Sequence, residues 1–345
     1  MNPYTTPVVL FSLLLGTSMT FMSSHWLLAW MGLEINTLAI LPMMIKTHHP
    51  RATEATTKYF LTQAAASALI LFSTLMNAWT TGQWELKELS PLPSNMLTIA
   101  LMMKLGVAPM HFWLPEVLQG VDLTTGLIIS TWQKLAPMSL MFMTYNLLNP
   151  NLLMLLGFTS ILLGGWLGLN QTQLRKIMAS SSIAHLGWMM MILPLSPTLF
   201  ILNIIIYITM TTAMFLSMKF FNVTKLNALT TSWSKTPILA ISSSMVLLSL
   251  GGLPPTTGFM PKWLILQEMT KQHFSTTATI MAISALLSLF FYLRLSYSLA
   301  LTQSPNTINS STMWRFKLNH MTFLMSMTMT LSLLLLPLTP TLTLM

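Results

Sequence analysis

Residues 102–117 read MMKLGVAPMHFWLPEV, and residues 249–263 read SLGGLPPTTGFMPKW. Each is an apolar run interrupted by Gly and Pro, and each holds one lysine, Lys104 or Lys262, with apolar residues on both sides. In the first stretch Pro109 has no N–H, so the carbonyl of Leu105 loses its helical partner, and Gly106 lets the chain bend. In the second, after Gly251 and Gly252, Pro254 and Pro255 free the carbonyls of Leu250 and Gly251. Thr256 or Thr257 can then cap a restarting half-helix, with Pro261 in its first turn. Such a break is tolerated at membrane depth only inside protein or beside a water-filled cavity. The reading is therefore a pair of discontinuous helices, each with a buried amine close to bare carbonyls.

The rest of the chain supports membrane depth. Its 345 residues are 53% hydrophobic and only 7% charged, with a mean hydropathy of +0.67. Soluble globular proteins carry about 25% charged residues. A soluble enzyme is excluded, and so is disorder, which needs low hydrophobicity and high charge. The runs are apolar all round rather than alternating, which selects helices over a barrel. Spans of about 20 residues fall at 3–22, 25–45, 57–79, 93–121, 123–147, 151–170, 176–194, 197–219, 237–272, 274–299 and 321–342. The expectation is a single all-α polytopic membrane domain, 1–345, with about 11 transmembrane helices, the fourth and ninth broken.

The cations test that count. Eleven of the 16 Lys and Arg fall in one set of alternate loops, two in the other and three inside spans. A missed or added span would scramble this split. The basic face is then the cytoplasm or the matrix, with the N-terminus on it and the C-terminus opposite. The net charge of +9 reads as topology and as a contact with anionic lipid; no aromatic-interleaved basic patch points to nucleic acid. No Lys or Arg precedes Val8, so neither a secretory n-region nor an Arg-rich presequence is read, and the first helix is expected to stay as a span. The 32 Met and absent Cys exclude disulfides, thiolate clusters and Cys-ligated zinc, and the Met excess fits a translation code with an extra Met codon.

Both breaks are fourth in a series of five. Residues 3–147 and 151–299 read as two five-helix repeats, the second entering the membrane from the opposite side, with 321–342 left over as a C-terminal helix. Paired discontinuous helices in an inverted repeat mark a transport site. Four ionisable residues lie inside spans: Glu34, Lys104, Lys134 and Lys262. Together they cost about 10–14 kcal/mol on insertion scales, so they are expected to face the bundle interior on an ion or proton path. Lys134 sits in STWQKLAPM, where Pro137 frees the carbonyl of Gln133. Glu34 shares a helix face with Trp30 and Trp26. Removal from water disfavours the charged form of carboxylate and amine alike, so a row of such groups can pass protons as pairs form and break. His111, and His185 in SSSIAHLGW, are candidate relays. Gly164 and Gly168 form GxxxG for close helix packing. No GxGxxG after a strand, P-loop, HExxH or catalytic triad is present.

The segments MGLEINTLAILPM, KLGVAPMHFWLPEV, SSIAHLGW and LGGLPPTTGFMPKW, in that order, resemble the antiporter-like subunits of respiratory complex I, in the vertebrate mitochondrial form. The resemblance implies that Glu34 is the family's helix glutamate and Lys104 the lysine of the first broken helix. Lys134 would be the connecting lysine, and Lys262 the lysine of the second broken helix, nearest the exit. His111 and His185 would belong to a central hydrophilic axis. It implies a proton-translocating subunit of H+-translocating NADH:ubiquinone reductase in the mitochondrial inner membrane. Its partners would be a neighbouring antiporter-like subunit, small membrane subunits, accessory subunits and phospholipid, cardiolipin included. NADH, FMN, iron–sulfur clusters and ubiquinone would act elsewhere in the complex, with no cofactor or metal bound by this chain. Bacterial relatives carry three further N-terminal helices that are missing here. The alternative from the same family is a stand-alone cation/proton antiporter, for which one intramembrane carboxylate, Glu34, is a poor sodium site. A pure scaffold leaves four buried charges and two broken helices unexplained.

Overall fold

A computed structural model describes residues 4–46, 48–234, 236–254, 256–300 and 322–344. Among them the chain is helical, with two isolated antiparallel bridges and no strands. It comprises two compact units, residues 1–160 and 161–345.

In the first unit α1 (Thr5–Met22) packs along α2 (Trp26–Met44). The crossing is close because both faces are glycine: a Cβ on Gly16 would lie 2.6 Å from Asn36 Oδ1, and one on Gly32 would lie 2.9 Å from the Gly16 carbonyl. The long α3 (Pro50–Thr81) packs on α4 (Pro91–Leu105) and α5 (Trp113–Gly120), the two halves of the first broken span. Helix α4 stops where Gly106 takes φ 77°, with the Gly106 and Val107 N–H groups both returning to the Met102 carbonyl. This is a glycine-closed helix end, as the sequence predicts at that position.

The fifth span is also broken, but ahead of Pro137, where the sequence reading places its break. Helix α6 (Leu123–Ser130) ends at Thr131, and α7 (Trp132–Thr144) restarts at once. The Thr131 hydroxyl donates to the Leu127 carbonyl at 2.7 Å and the Ser130 hydroxyl to the same oxygen at 3.0 Å. Adjacent hydroxyls that bond back in this way compete with the helix ladder and bend it. Pro137, expected as a break, lies inside α7, and the helix runs through it.

In the second unit, which takes the C-terminal part of α8 (Pro150–Gly168), residues 177–193 of and just beyond α9 (Leu174–Ile192) are buried without exception. A helix apolar on every face belongs at the centre of a bundle. The GxxxG expectation holds there: a Cβ on Gly164 would meet the Ala184 backbone at 2.7 Å, and one on Gly168 would meet the Phe291 ring at 2.6 Å. Helices α10 (Pro197–Phe221), α13 (Phe259–Lys271) and α14 (Ser275–Ala300) pack on α9, while the short α11 (Leu226–Thr230) packs on α14 and α12 (Pro237–Gly251) on α10 and α14. Helix α15 (Thr322–Leu334) packs on α10 and α12, and α16 (Thr339–Leu344) ends the description. Helices α12 and α13 are the halves of the second broken span. Gly251 is the last residue of α12, Gly252 closes it at φ 80°, and Pro254 lies in the break; Pro255 lies outside the described residues.

Each unit also carries the same backbone clip. Trp26 N–H donates to the Trp84 carbonyl and Leu86 N–H to that of Ser24; Leu174 N–H donates to Thr224 and Leu226 N–H to Thr172, all at 3.1 Å. The clip ties the residue before one helix to the residues after the following hairpin. Among the described residues six helices, α1, α2, α3, α8, α10 and α14, are each long and apolar enough to cross a membrane, while α12 and α15 are shorter.

Candidate functional site

Each unit gathers intramembrane polar groups around a space of its own. In the first unit the space measures about 10 Å³, roughly what one water needs. Asn36 of α2, Gln63 and Tyr59 of α3, Lys104 of α4 and Gln133 and Lys134 of α7 line it. Lys104 is 6% exposed and Lys134 4%, so neither amine snorkels to a surface. Lys104 falls here because it precedes the Gly106 stop by two residues, and Lys134 because the Thr131 break sets the start of α7. Glu34 stands on α2 beside Leu33 and is half-buried, but it does not line the space.

The bonds of this site go to backbone. Gln133 Nε2 donates to the Asn36 carbonyl at 3.0 Å, Trp30 Nε1 to that of Ser67 at 3.1 Å and Gln63 Nε2 to that of Lys104 at 3.4 Å. Glu34 Oε2, Lys104 Nζ and both side-chain amide atoms of Asn36 are buried without a hydrogen-bond partner. Buried orphans of this kind are rare in proteins and call for a functional or solvent explanation. Three of them, Lys104 Nζ and the two Asn36 atoms, belong to residues that line the water-sized space, and such a polar cluster can take up and release a proton.

His111 is buried in the first break, where its Nδ1 lies 3.2 Å from the Pro109 carbonyl and its Nε2 has no partner. It belongs to the same unit but does not line the space around Lys104.

In the second unit Lys262 of α13, His185 and Ser181 of α9 and Ser288 and Tyr292 of α14 line a second space of about 10 Å³. Lys262 Nζ donates to the Gly251 carbonyl at 2.8 Å and approaches that of Leu250 at 3.5 Å. These are the two carbonyls that the sequence marks as bare. The His185 ring lies 5.6 Å from that of Tyr207. So the structure joins His185 to Lys262 in one unit and Lys104 to Lys134 in the other, while Glu34 and His111 line neither space.

Asn36, Gln63, Gln133 and Tyr292 were not legible as site residues. A neutral amide or phenol in an apolar run costs far less than a charge, so composition does not flag it. A second scan for amides within spans would have raised the first three.

The chain is similar to known proteins over most of its length. Residues 23–288 match the family described as NADH:quinone oxidoreductase/Mrp antiporter, TM, and residues 289–343 match NADH dehydrogenase subunit 2 C-terminus. The chain is 61% identical to the NADH-ubiquinone oxidoreductase chain 2 of Formosania lacustris over 343 residues, 99% of each chain. It is also 61% identical to that of Xenopus laevis over 341 residues, again 99% of each. Among solved structures it is similar to a chain of respiratory complex I from Thermus thermophilus, with TM-score 0.84 and 25% identity over 98% of this chain and 80% of that one. It shares a fold with a chain of the Mrp complex from Dietzia, with TM-score 0.78 and 16% identity over 85% of this chain and 60% of that one.

Proposed function

Because this chain belongs to the NADH-ubiquinone oxidoreductase chain 2 family, we propose that its two polar sites carry protons across the mitochondrial inner membrane. The protein is a proton-translocating membrane-arm subunit of NADH:ubiquinone oxidoreductase, respiratory complex I. The reading of its residues rests on one observation above all. Lys104 and Lys134, on different helices, line one water-sized space at which the Lys104 amine lacks a hydrogen-bond partner, and Glu34 Oε2 is a further buried orphan on α2.

In this mechanism Glu34 and Lys104 form a pair that can make and break. Together they favour the ionised pair; apart, each is driven by desolvation toward its neutral form. A change that separates them therefore moves a proton. Lys134 receives it across the same space. In the second unit Lys262 holds its proton against the end of α12, where helix carbonyls carry partial negative charge and favour a cation. His185 shares that space and relays it. His111 is assigned as a relay near the first break. Gly106, Gly251, Gly252 and the prolines around them supply the breaks.

The duplicated break and the duplicated clip support reading residues 3–147 and 151–299 as inverted repeats, with 321–342 added. The distribution of Lys and Arg supports an N-terminus in the matrix and a C-terminus in the intermembrane space. Partners are the other membrane-arm subunits, accessory subunits and phospholipid, including cardiolipin on the basic face. Electron transfer from NADH through FMN and iron–sulfur clusters to ubiquinone takes place on other subunits and supplies the driving force. With no cysteine, this chain offers no thiolate for a cluster. The stand-alone antiporter is not favoured, since relatives matching almost the whole chain carry the oxidoreductase name.

The test is a gently solubilised membrane run on a native gel, stained for NADH oxidation and probed for peptides of this chain. Comigration with a very large NADH-oxidising band is expected. Migration as a small particle that drives cation/proton exchange in liposomes would replace this reading with the antiporter.

A further inference from the structure

The two breaks close alike and are finished differently. In register, Gly106 matches Gly252, Trp113 matches Phe259, Pro115 matches Pro261 and Glu116 matches Lys262. Both glycines adopt a left-handed conformation, at φ 77° and 80°, and their N–H groups return to Met102 and Met103 or to Leu248 and Ser249. Such a cap leaves the last carbonyls of the helix without backbone donors.

At the second break those carbonyls are Leu250 and Gly251, and both face the Lys262 amine. At the first break they are Lys104 and Leu105. The residue in register with Lys262 is Glu116, which has no amine to offer and pairs instead with Lys58 at 2.7 Å. The Lys104 carbonyl accepts from Gln63 Nε2, and the Met103 carbonyl accepts from Trp113 Nε1 at 3.2 Å. Both donors are neutral. Gln63 is 4% exposed and lines the same space as Lys104 and Lys134. A cation in its place would be a third positive charge in that space, opposed by its neighbours.

We propose that Gln63 is a positioning residue of the first proton site. Its neutral amide bonds the Lys104 carbonyl, the counterpart of the Leu250 carbonyl that the Lys262 ammonium approaches at 3.5 Å, and so fixes the end of α4 that carries the Lys104 amine. The proposal rests on Lys104 being a proton carrier. Helix-end carbonyls attract cations, and a neutral donor satisfies this one without adding a charge to the space that Lys104 and Lys134 line. The orphan state of Lys104 Nζ is what this division of roles leaves behind.

The test compares three variants of the assembled complex in proteoliposomes: Gln63→Met, which keeps length without an N–H; Gln63→His, which keeps a ring N–H; and Lys104→Ala. The readout is protons moved per NADH oxidised, at equal content of complex on a native gel. Gln63→Met is expected to lower that ratio roughly two- to tenfold, the range that one neutral hydrogen bond supports. Gln63→His should recover most of the loss. Should Gln63→Met not assemble, Gln63→Leu also removes the donor without adding a charge and carries the same expected loss. A normal ratio in the donor-free variant, with a loss in Lys104→Ala, overturns the role of Gln63 and leaves Lys104 as carrier. Equal losses in Gln63→Met and Gln63→His would make the amide mere bulk and overturn it too. A normal ratio in Lys104→Ala removes the carrier reading and the proposal with it.

Discussion

The Lys262 amine lies 2.8 Å from the carbonyl of Gly251, the last residue of α12, although the two residues belong to opposite halves of a broken helix. One contact thus serves two ends. It satisfies a carbonyl that the break leaves bare, and it parks a buried cation where the helix end is negative. The proton carrier and the structural cap are the same side chain.

That double role separates two substitutions. Lys262→Ala removes both, leaving carbonyls unsatisfied at about 1–3 kcal/mol each, so proton pumping and coupled quinone reduction should fall while assembly survives with a lower melting temperature. Lys262→Arg keeps the donor and the charge but does not release its proton. It should assemble at wild-type stability and still pump poorly. Proteoliposome proton flux and thermal unfolding of the complex, read side by side, check both. Full pumping by the arginine variant would leave Lys262 as a cap alone.

Glu34 has no spare carboxylate nearby to replace it. Glu34→Gln keeps the shape and removes the titration, so coupled turnover should drop by about two orders of magnitude, the lower range for a positioned acid–base group. Complex content on a native gel should not change, because Glu34 Oε2 makes no hydrogen bond to lose. Unaltered protons per electron in this variant would take Glu34 off the path.

Lys134 is the third test of titration against charge. Lys134→Arg holds a permanent cation in the same cavity, and a bulkier one in a space of about 10 Å³. Turnover should fall at least tenfold, a conservative figure for loss of an acid–base group. The measurement is the rate of quinone reduction with and without an uncoupler. A rate the uncoupler leaves low, at wild-type content of complex on a native gel, points to the internal proton step, whereas a reduced content of complex points to a packing defect.

These residues were readable in advance because each carries a cost that sequence makes visible. A lysine amid apolar residues has no cheap placement in lipid, and Gly and Pro announce where a helix must stop. Counting missing N–H groups marked the carbonyls of Leu250 and Gly251 as bare, whereas the fold decides that Lys262 reaches them. Thr131 was not readable, since a hydroxyl that bonds back within its own helix looks like any other Ser or Thr in a span. Pro137 was over-read for the complementary reason: it removes one donor, yet α7 continues across the gap. Gln63 and Asn36 escaped notice because their importance lies in which carbonyls and cavities they meet, and that is decided by packing between distant helices.

The left-handed glycines allow the position of Lys262 to be tested without touching it. Gly82 closes α3 at φ 75° and a Cβ there meets nothing within 4 Å, whereas a Cβ on Gly252, at φ 80°, would stand 2.9 Å from Lys262 Cδ and 3.0 Å from its Nζ. Alanine at either position carries the same backbone penalty of about 1–2 kcal/mol for a left-handed L-residue. Gly82→Ala should therefore lower the melting temperature of the complex and leave protons per NADH unchanged. Gly252→Ala should lower the melting temperature by a similar amount or more and also lower the proton ratio, because the methyl pushes the amine off the Gly251 carbonyl. The difference between the two proton ratios isolates the placement of Lys262 from the cost of strain. If both variants pump normally, the site tolerates a displaced amine, and the contact with Gly251 is a cap rather than a station on the path.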